Sequence, residues 1–357
     1  MNLQELFGIS LPIIQAPMAG AQGSALAVAV CKAGGLGSLP CAMLSADDMR
    51  KELAAIRAQT DAPFNVNFFC HTQPDVDAER EALWRKTLSP YYAEFGVDSS
   101  TIATGSGRMP FDAQAAEILD EFRPRVVSFH FGLPNEQLLD RVKSCGAKIL
   151  SSATTVEEAL WLEARGVDAI IAQGLEAGGH RGMFLTDDLT TQMGTFALLR
   201  QVIQEVKVPV IAAGGIADAK GVAGAMALGA AGVQIGTAYL LCPETKISAV
   251  HRSALASSGA RHTALTNIFS GRPARGIVNR AIREIGPINA QVPPFPMATS
   301  AIAPLRAKAE SSGSGDFSPL WSGQNPSGCK PIPAYDLTQI LAAEVSPNHS
   351  ASSSHQK

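Results

Sequence analysis

Several common protein classes are excluded by what this 357-residue chain lacks. Aromatic residues make up only 6% of it, which disfavours an aromatic-rich all-β fold. Neither sign of charge dominates. The 29 lysines and arginines against 32 aspartates and glutamates give a net charge of −3 and no basic surplus for a nucleic-acid partner. The six cysteines, at 31, 41, 70, 145, 242 and 329, form no CxxC pair, and no His/Cys cluster has zinc spacing, so reduced thiols, no metal and a cytoplasmic setting are expected. The start, MNLQELFGIS, lacks the basic and apolar regions of a secretory leader. Apolar helical stretches such as 221–228 fall far short of the roughly 20 residues that cross a bilayer, so no membrane partner is expected.

What is present is a large reserve of core-forming residues: 46% are apolar, 17% charged, and 32 are glycine. Short β-rich runs recur at 13–16, 35–39, 64–68, 126–130, 148–151, 169–173, 210–213 and 232–235. They are continuously apolar, as strands buried on both faces are. Helical stretches lie between and after them, at 24–33, 47–60, 113–122, 135–145, 155–165, 190–206, 218–228 and about 246–257. Thr155 and Glu158 stand at capping-box spacing. Eight such units predict a (β/α)8 barrel over residues 1–260; an open doubly wound sheet is the alternative. The pattern is interrupted by an insertion at about 70–110 and by a long loop at 174–190. Residues 261–345, rich in Pro, Gly and Ser, predict a lid or extra helical segment, and 346–357 a disordered tail.

Two glycine loops follow the seventh and eighth predicted strands: Gly214-Gly215 and the run Gln234, Ile235, Gly236, Thr237. These are the barrel positions where backbone amides bind phosphate, aided by a helix N-terminus. The first strand ends in Ala16, Pro17 and Met18, an apolar turn suited to a flat ring. Asn67 and Gln173, at the ends of the third and sixth strands, offer amides that donate and accept. Together these fit flavin mononucleotide, whereas no GxGxxG or Walker sequence is present. In the string from Gln173 to Gly182, Gly178 and Gly179 let the backbone run close to a ligand, and His180 projects from that loop at the catalytic face. His130, ending the fourth strand, either shares the pocket or is a packed, hydrogen-bonded histidine. His71 and His262 read as surface residues.

These residues bring a resemblance into view. Gln15-Ala16-Pro17-Met18, Gly37-Ser38-Leu39-Pro40-Cys41-Ala42-Met43, Glu176 to Gly182, Ala212 to Ile216, Thr266 to Gly276 and Leu320 to Gln324 resemble the nitronate monooxygenases, bacterial class I, over about residues 10–340. The resemblance implies an FMN-binding barrel partly closed by a smaller domain. It implies alkyl nitronates such as propionate 3-nitronate as substrates, and O2 as oxidant, giving a carbonyl compound and nitrite or related nitrogen oxides. It implies His180 as the active-site histidine, with Asn67, Gln173, Gly178, Gly215 and the 234–237 loop against FMN. A detoxifying role and a monomer or homodimer are further expectations. A protonated His180 stabilising the nitronate is the preferred role, with a neutral His180 acting as base on a nitroalkane the alternative. Arg275, Arg272 or Arg181 either holds a substrate carboxylate or bridges lid and barrel. The glycine-rich histidine loop and the AAGGI loop are shared with flavin-dependent reductases. An NAD(P)H-dependent FMN reductase acting on quinones or enoyl-acyl-carrier-protein is therefore the rival, and a non-catalytic flavin or phosphate-ligand sensor a second.

Overall fold

The computed structural model describes residues 2–102 and 108–345; the tail expected at 346–357 lies outside the described residues. Eight parallel strands form the barrel: β1 (Ile13–Gln15), β2 (Gly37–Pro40), β3 (Phe64–Phe69), β4 (Val126–His130), β5 (Lys148–Ala153), β6 (Ala169–Gln173), β8 (Val210–Ala213) and β9 (Gly232–Ile235). A two-residue strand, β7 (Gly179–His180), lies outside it. Neighbours pair in sequence order from β2 to β9, and β9 pairs with β1. Leu36, just ahead of β2, completes the circle: its amide donates to the Ile13 carbonyl, and the Gln15 amide donates to its own carbonyl, both at 2.9 Å. The closed (β/α)8 arrangement follows, and the open sheet is set aside.

The crossover helices are α2 (Ser24–Lys32), α3 (Ala46–Arg57), α5 (Ala113–Phe122), α6 (Glu136–Ser144), α7 (Val156–Glu163), α8 (Thr195–Glu205) and α9 (Ala219–Ala227), with α10 (Ala249–Ala256) after β9. Their starts are written in side chains. Ser45, Asp112, Asn135, Thr155 and Asp218 each accept an amide of the first turn of their helix, an interaction of about 1 kcal/mol apiece. The expected capping box at α7 takes a different form. Glu158 donates its amide to Thr155, but its buried carboxylate accepts from the amide and hydroxyl of Thr154 and from the amides of Phe184 and Leu185. It thus holds down the loop after β6.

A short helix, α1 (Leu3–Phe7), plugs the N-terminal end of the barrel. Leu3, Leu6 and Phe7 pack against the inward residues Ile14, Leu36, Val126, Leu150, Ile171 and Ile211. That leaves the C-terminal end open to ligands.

The insertion is largely one helix, α4 (Ala78–Phe95), which the sequence reading left as an interruption. Trp84, Leu88 and Tyr92 recur every four residues on its buried side. They join Ile268, Phe269, Ile282, Ile302, Leu305 and Phe317 in a second hydrophobic core. The partners come from α11 (Arg280–Ile285), α12 (Thr299–Ser311) and the chain beside them, next to the antiparallel pair β10 (Thr263–Thr266) and β11 (Ala274–Ile277). Tyr92 Oη donates to the Ala301 carbonyl at 2.7 Å and Trp84 Nε1 to that of Ala298 at 3.3 Å. Each such buried side chain contributes about 1.5–3 kcal/mol through the apolar area it removes from water. The final helix, α13 (Ala334–Ala342), instead returns to the barrel wall, where Ala334, Leu337 and Leu341 enter the main core.

Candidate active site

A cavity of about 370 Å³ opens at the C-terminal ends of the strands, within the usual range of about 300–1,000 Å³ for small-molecule sites. It is lined by Ala16, Pro17, Met18, Asn67, Gln173, Gly178, Gly179, Gly214, Gly215 and the 234–237 run, together with His130 and His180. The structure therefore brings those sequence-selected residues to one place. Arg275 is not among the lining residues.

At one end the wall is backbone. Gly214 (φ +121°) and Gly215 (φ +74°) adopt left-handed conformations that suit glycine. Among the described residues, the amides of Gly214, Gly215 and Gly236 donate to no other group. Thr237 Oγ1 accepts the Gly323 amide at 2.9 Å, and Asn325 Nδ2 donates to the Gly215 carbonyl at 2.9 Å, so the 323–325 segment closes over this end. At the N-terminus of α9, Asp218 Oδ1 already accepts the Gly221 amide at 2.8 Å. Gly178 is glycine for a packing reason: a Cβ there would meet the Gly323 amide at 2.5 Å. Gly179 (φ +72°) instead faces open space.

The sides carry amides of three kinds. Asn67 Nδ2 donates to Ser128 Oγ at 2.9 Å and to the Ser128 carbonyl at 3.2 Å, which holds the side chain still. Gln173 is committed to the protein. It donates to the His180 carbonyl at 3.0 Å and accepts the Gly182 amide at 2.8 Å, so it braces the histidine loop. Gln234 Oε1 is buried with no partner. An orphaned acceptor in a ligand-sized cavity is a costly feature that a ligand N–H would satisfy.

The other end is aromatic. The loop read as irregular contains β7, which pairs antiparallel with β11, His180 opposite Ala274, and so fixes His180. Its ring faces Phe295 (5.3 Å between centroids), Trp321 (5.5 Å), Phe131 (6.0 Å) and Phe69 (6.2 Å). Phe131 sits at φ +70°, an unusual backbone for a bulky residue beside the site. His180 Nε2 meets Ser270 Oγ at 2.8 Å, which leaves Nδ1 for a ligand. Burial first, then the nearby Arg108, His130, Arg272 and His71, holds the His180 imidazolium far below its ordinary pKa. These surroundings favour the neutral ring over the charged one. His130, read as a possible substrate residue, has both nitrogens engaged, Nδ1 with Ser152 Oγ at 3.0 Å and Nε2 with the His180 carbonyl at 3.2 Å. Burial lowers its pKa to about 3.

Two further expectations change. His71, read as a surface residue, is 4% exposed and packs edge-on to Phe295 at 4.8 Å, with no partner for either ring nitrogen. Arg275, offered for a substrate carboxylate, donates to the Leu175 carbonyl and to Thr263 Oγ1. Arg181 donates to Gln192 and to the carbonyls of Gln173 and Gly174. Arg272 stacks on Phe131 and donates to the Met183 carbonyl. All three tie the histidine loop to its surroundings. Site residues not named from sequence are Phe295 and Arg108, together with Ser270 and Trp321, which stand in strings that carried the resemblance without being given a role. Among the described residues, no group of three or more His, Cys, Asp or Glu could hold a metal, and all six cysteines are free.

The comparisons agree with this geometry. The nitronate monooxygenase family model matches residues 1–344. The chain is 44% identical to a nitronate monooxygenase of Paraburkholderia phytofirmans over 96% of this chain and 94% of that one. It is 42% identical to a nitronate monooxygenase of Pseudomonas aeruginosa, over 95% and 97%. Among solved structures, nitroalkane oxidase from Streptomyces ansochromogenes superposes with a TM-score of 0.87 at 37% identity, covering 98% of this chain and 99% of that chain. FabK from Thermotoga maritima is more distant, with a TM-score of 0.71 at 28% identity, covering 98% and 96%. The barrel, the full-length match and the ranking of its relatives make this chain a member of the nitronate monooxygenase family.

Proposed function

We propose that this enzyme oxidises alkyl nitronates, propionate 3-nitronate among them, with O2 and FMN, releasing a carbonyl compound and nitrite or related nitrogen oxides. The observation that carries the reading is the pairing of a Ser270-anchored imidazole with a glycine-walled cavity holding free amides and one orphaned carbonyl. The residues present fit FMN. The Gly214–Gly215 and Gly236–Thr237 amides would hold its phosphate, Ala16 to Met18 would lie against the ring, and Gln234 and Asn67 would meet polar ring edges. When bound, the flavin supplies the electron transfer from the nitronate to O2.

The chain's own part is positioning and proton control. A nitronate is already an anion, so no carbon-bound proton has to be removed. Ser270 can accept from Nε2–H or donate to bare Nε2, and so supports either tautomer of His180. With a proton on Nδ1, the ring donates to a nitronate oxygen; with Nδ1 bare, it can take the α-proton of a nitroalkane. The aromatic wall excludes water from both. We place the enzyme in the cytoplasm as a monomer or homodimer with a detoxifying role, acting on small molecules and not on nucleic acid or membrane. The test is O2 uptake by the flavin-loaded enzyme with propionate 3-nitronate, beside an NADH oxidation assay. Rapid nitronate-dependent O2 uptake with inert NADH is expected. Fast flavin reduction by NADH without nitronate turnover would favour the reductase reading instead.

A further inference from the structure

We propose that Arg108 determines substrate specificity, binding a carboxylate at the far end of a nitronate's carbon chain. This rests on the nitronate reading and deepens it. Arg108 comes from the insertion, not from the barrel, and no sequence motif pointed to it.

The charge inventory of the cavity leads to this residue. No aspartate or glutamate lines it, while Arg108, Lys246 and Arg306 do. Lys246 is paired with Glu52 at 2.9 Å and Arg306 with Glu310 at 2.8 Å. Arg108 pairs with no carboxylate among the described residues, and the neighbouring segment 103–107 (ATGSG) contains no acid. Its Nη1 is buried with no hydrogen-bond partner. A largely buried guanidinium without a counter-charge is costly, and the cost is removed when an anion binds.

Geometry says where that anion sits relative to the chemistry. The Arg108 guanidinium lies over Phe295, 5.5 Å from the ring centroid, and the His180 ring centroid is 5.3 Å from the same point. Both side chains line the cavity, so a ligand within it reaches both, its nitronate end at the imidazole and its other end at the guanidinium. Arg181, Arg272 and Arg275 do not take this part, because none of them lines the cavity and each donates to main-chain carbonyls of the protein. A planar fork of N–H donors matches a carboxylate, and the Phe295 ring beside it holds the guanidinium in place.

The experiment compares the flavin-loaded wild type with Arg108→Met and Arg108→Lys. O2 uptake is measured with propionate 3-nitronate and with propyl-1-nitronate, which has no carboxylate. Calorimetric titration with succinate reports anion binding apart from turnover. The expected result is a fall of at least tenfold in the ratio of kcat/KM for the two nitronates in Arg108→Met, carried by KM of the carboxylated one. Succinate binding should weaken at least tenfold, and Arg108→Lys should recover part of both. A ratio that moves less than twofold, or succinate binding that is unaltered, overturns the proposal. Succinate binding that depends on Arg108 in an enzyme oxidising neither nitronate would uphold the anion site and reject the nitronate reading.

Discussion

At the Gly214–Gly215 and Gly236–Thr237 end the cavity is walled by main chain from two consecutive barrel units. At the His180 end Phe69 and Trp321 line it, with Phe131 and Phe295 packed around the His180 ring behind them. The first end offers main-chain amides and little else; the second offers an imidazole and a cation beside aromatic rings. Gripping and reacting are thus assigned to different kinds of structure, and substitutions should separate them. His180→Asn is the most severe expected break. It should lower nitronate turnover by about 10²–10⁴-fold, the usual contribution of a positioned acid or base, while purified protein keeps its bound flavin. Loss of flavin together with turnover would show that the two ends are one unit.

The imidazole end also governs stability towards acid. His71 and His251 are pushed down to about 4 and His130 to about 3, each chiefly by burial, and His180 falls well below its ordinary value. All four folded values lie below the unfolded value near 6.5. The unfolded chain therefore binds protons that the folded chain refuses. The contribution is complete above about pH 6.5 and is lost as pH falls towards 4, by up to about 1.4 kcal/mol per histidine per pH unit. Melting temperatures measured from pH 7.5 to 5 should fall steeply. His71→Phe, which replaces an imidazole with no hydrogen-bond partner, should flatten that fall by about one proton. An unchanged slope would mean that His71 is protonated in the folded protein.

The backbone end answers to a different substitution. Gly215→Val forces a β-branched residue into φ +74° and directs a side chain to the Glu176 side of the loop. The left-handed conformation costs roughly 1–2 kcal/mol. Flavin affinity should fall at least tenfold, read by equilibrium titration of the apoprotein, whereas turnover at saturating flavin should fall less. Equal losses in both would contradict the division of labour.

The two ends also differed in how far they could be read from sequence, for one physical reason. A wall of free backbone amides needs main chain in particular conformations, so its glycines stand together in short strings after strands seven and eight. Asn67, Gln173 and His180 were similarly visible because each sits at or just beyond a strand end. The aromatic end is assembled across distance: Ser270 meets His180 from 90 residues away, and Phe295 and Arg108 come from segments that no periodic pattern links to the barrel. His71 was misread because a single polar residue past a strand end carries no sign of the Phe295 that later covers it. The helix α4 was legible in principle, since Trp84, Leu88 and Tyr92 recur at helical spacing; its partners in 261–345 were not.

Ser270→Ala is the smallest expected effect and the sharpest probe of the imidazole. It deletes the 2.8 Å contact to Nε2 and nothing else that touches the ring. A hydrogen bond of this kind is worth about 0.5–1.5 kcal/mol, so turnover should drop roughly two- to tenfold with flavin affinity unaltered. Because the hydroxyl supports either tautomer, its loss should also move the pH dependence of kcat/KM for the nitronate. Removing an acceptor for Nε2–H disfavours the protonated ring, so the profile should shift to lower pH. A shift to higher pH would mean that Ser270 acts mainly as donor to a bare Nε2, leaving Nδ1–H to face the substrate. The direction of that shift decides which nitrogen of His180 carries the proton during turnover.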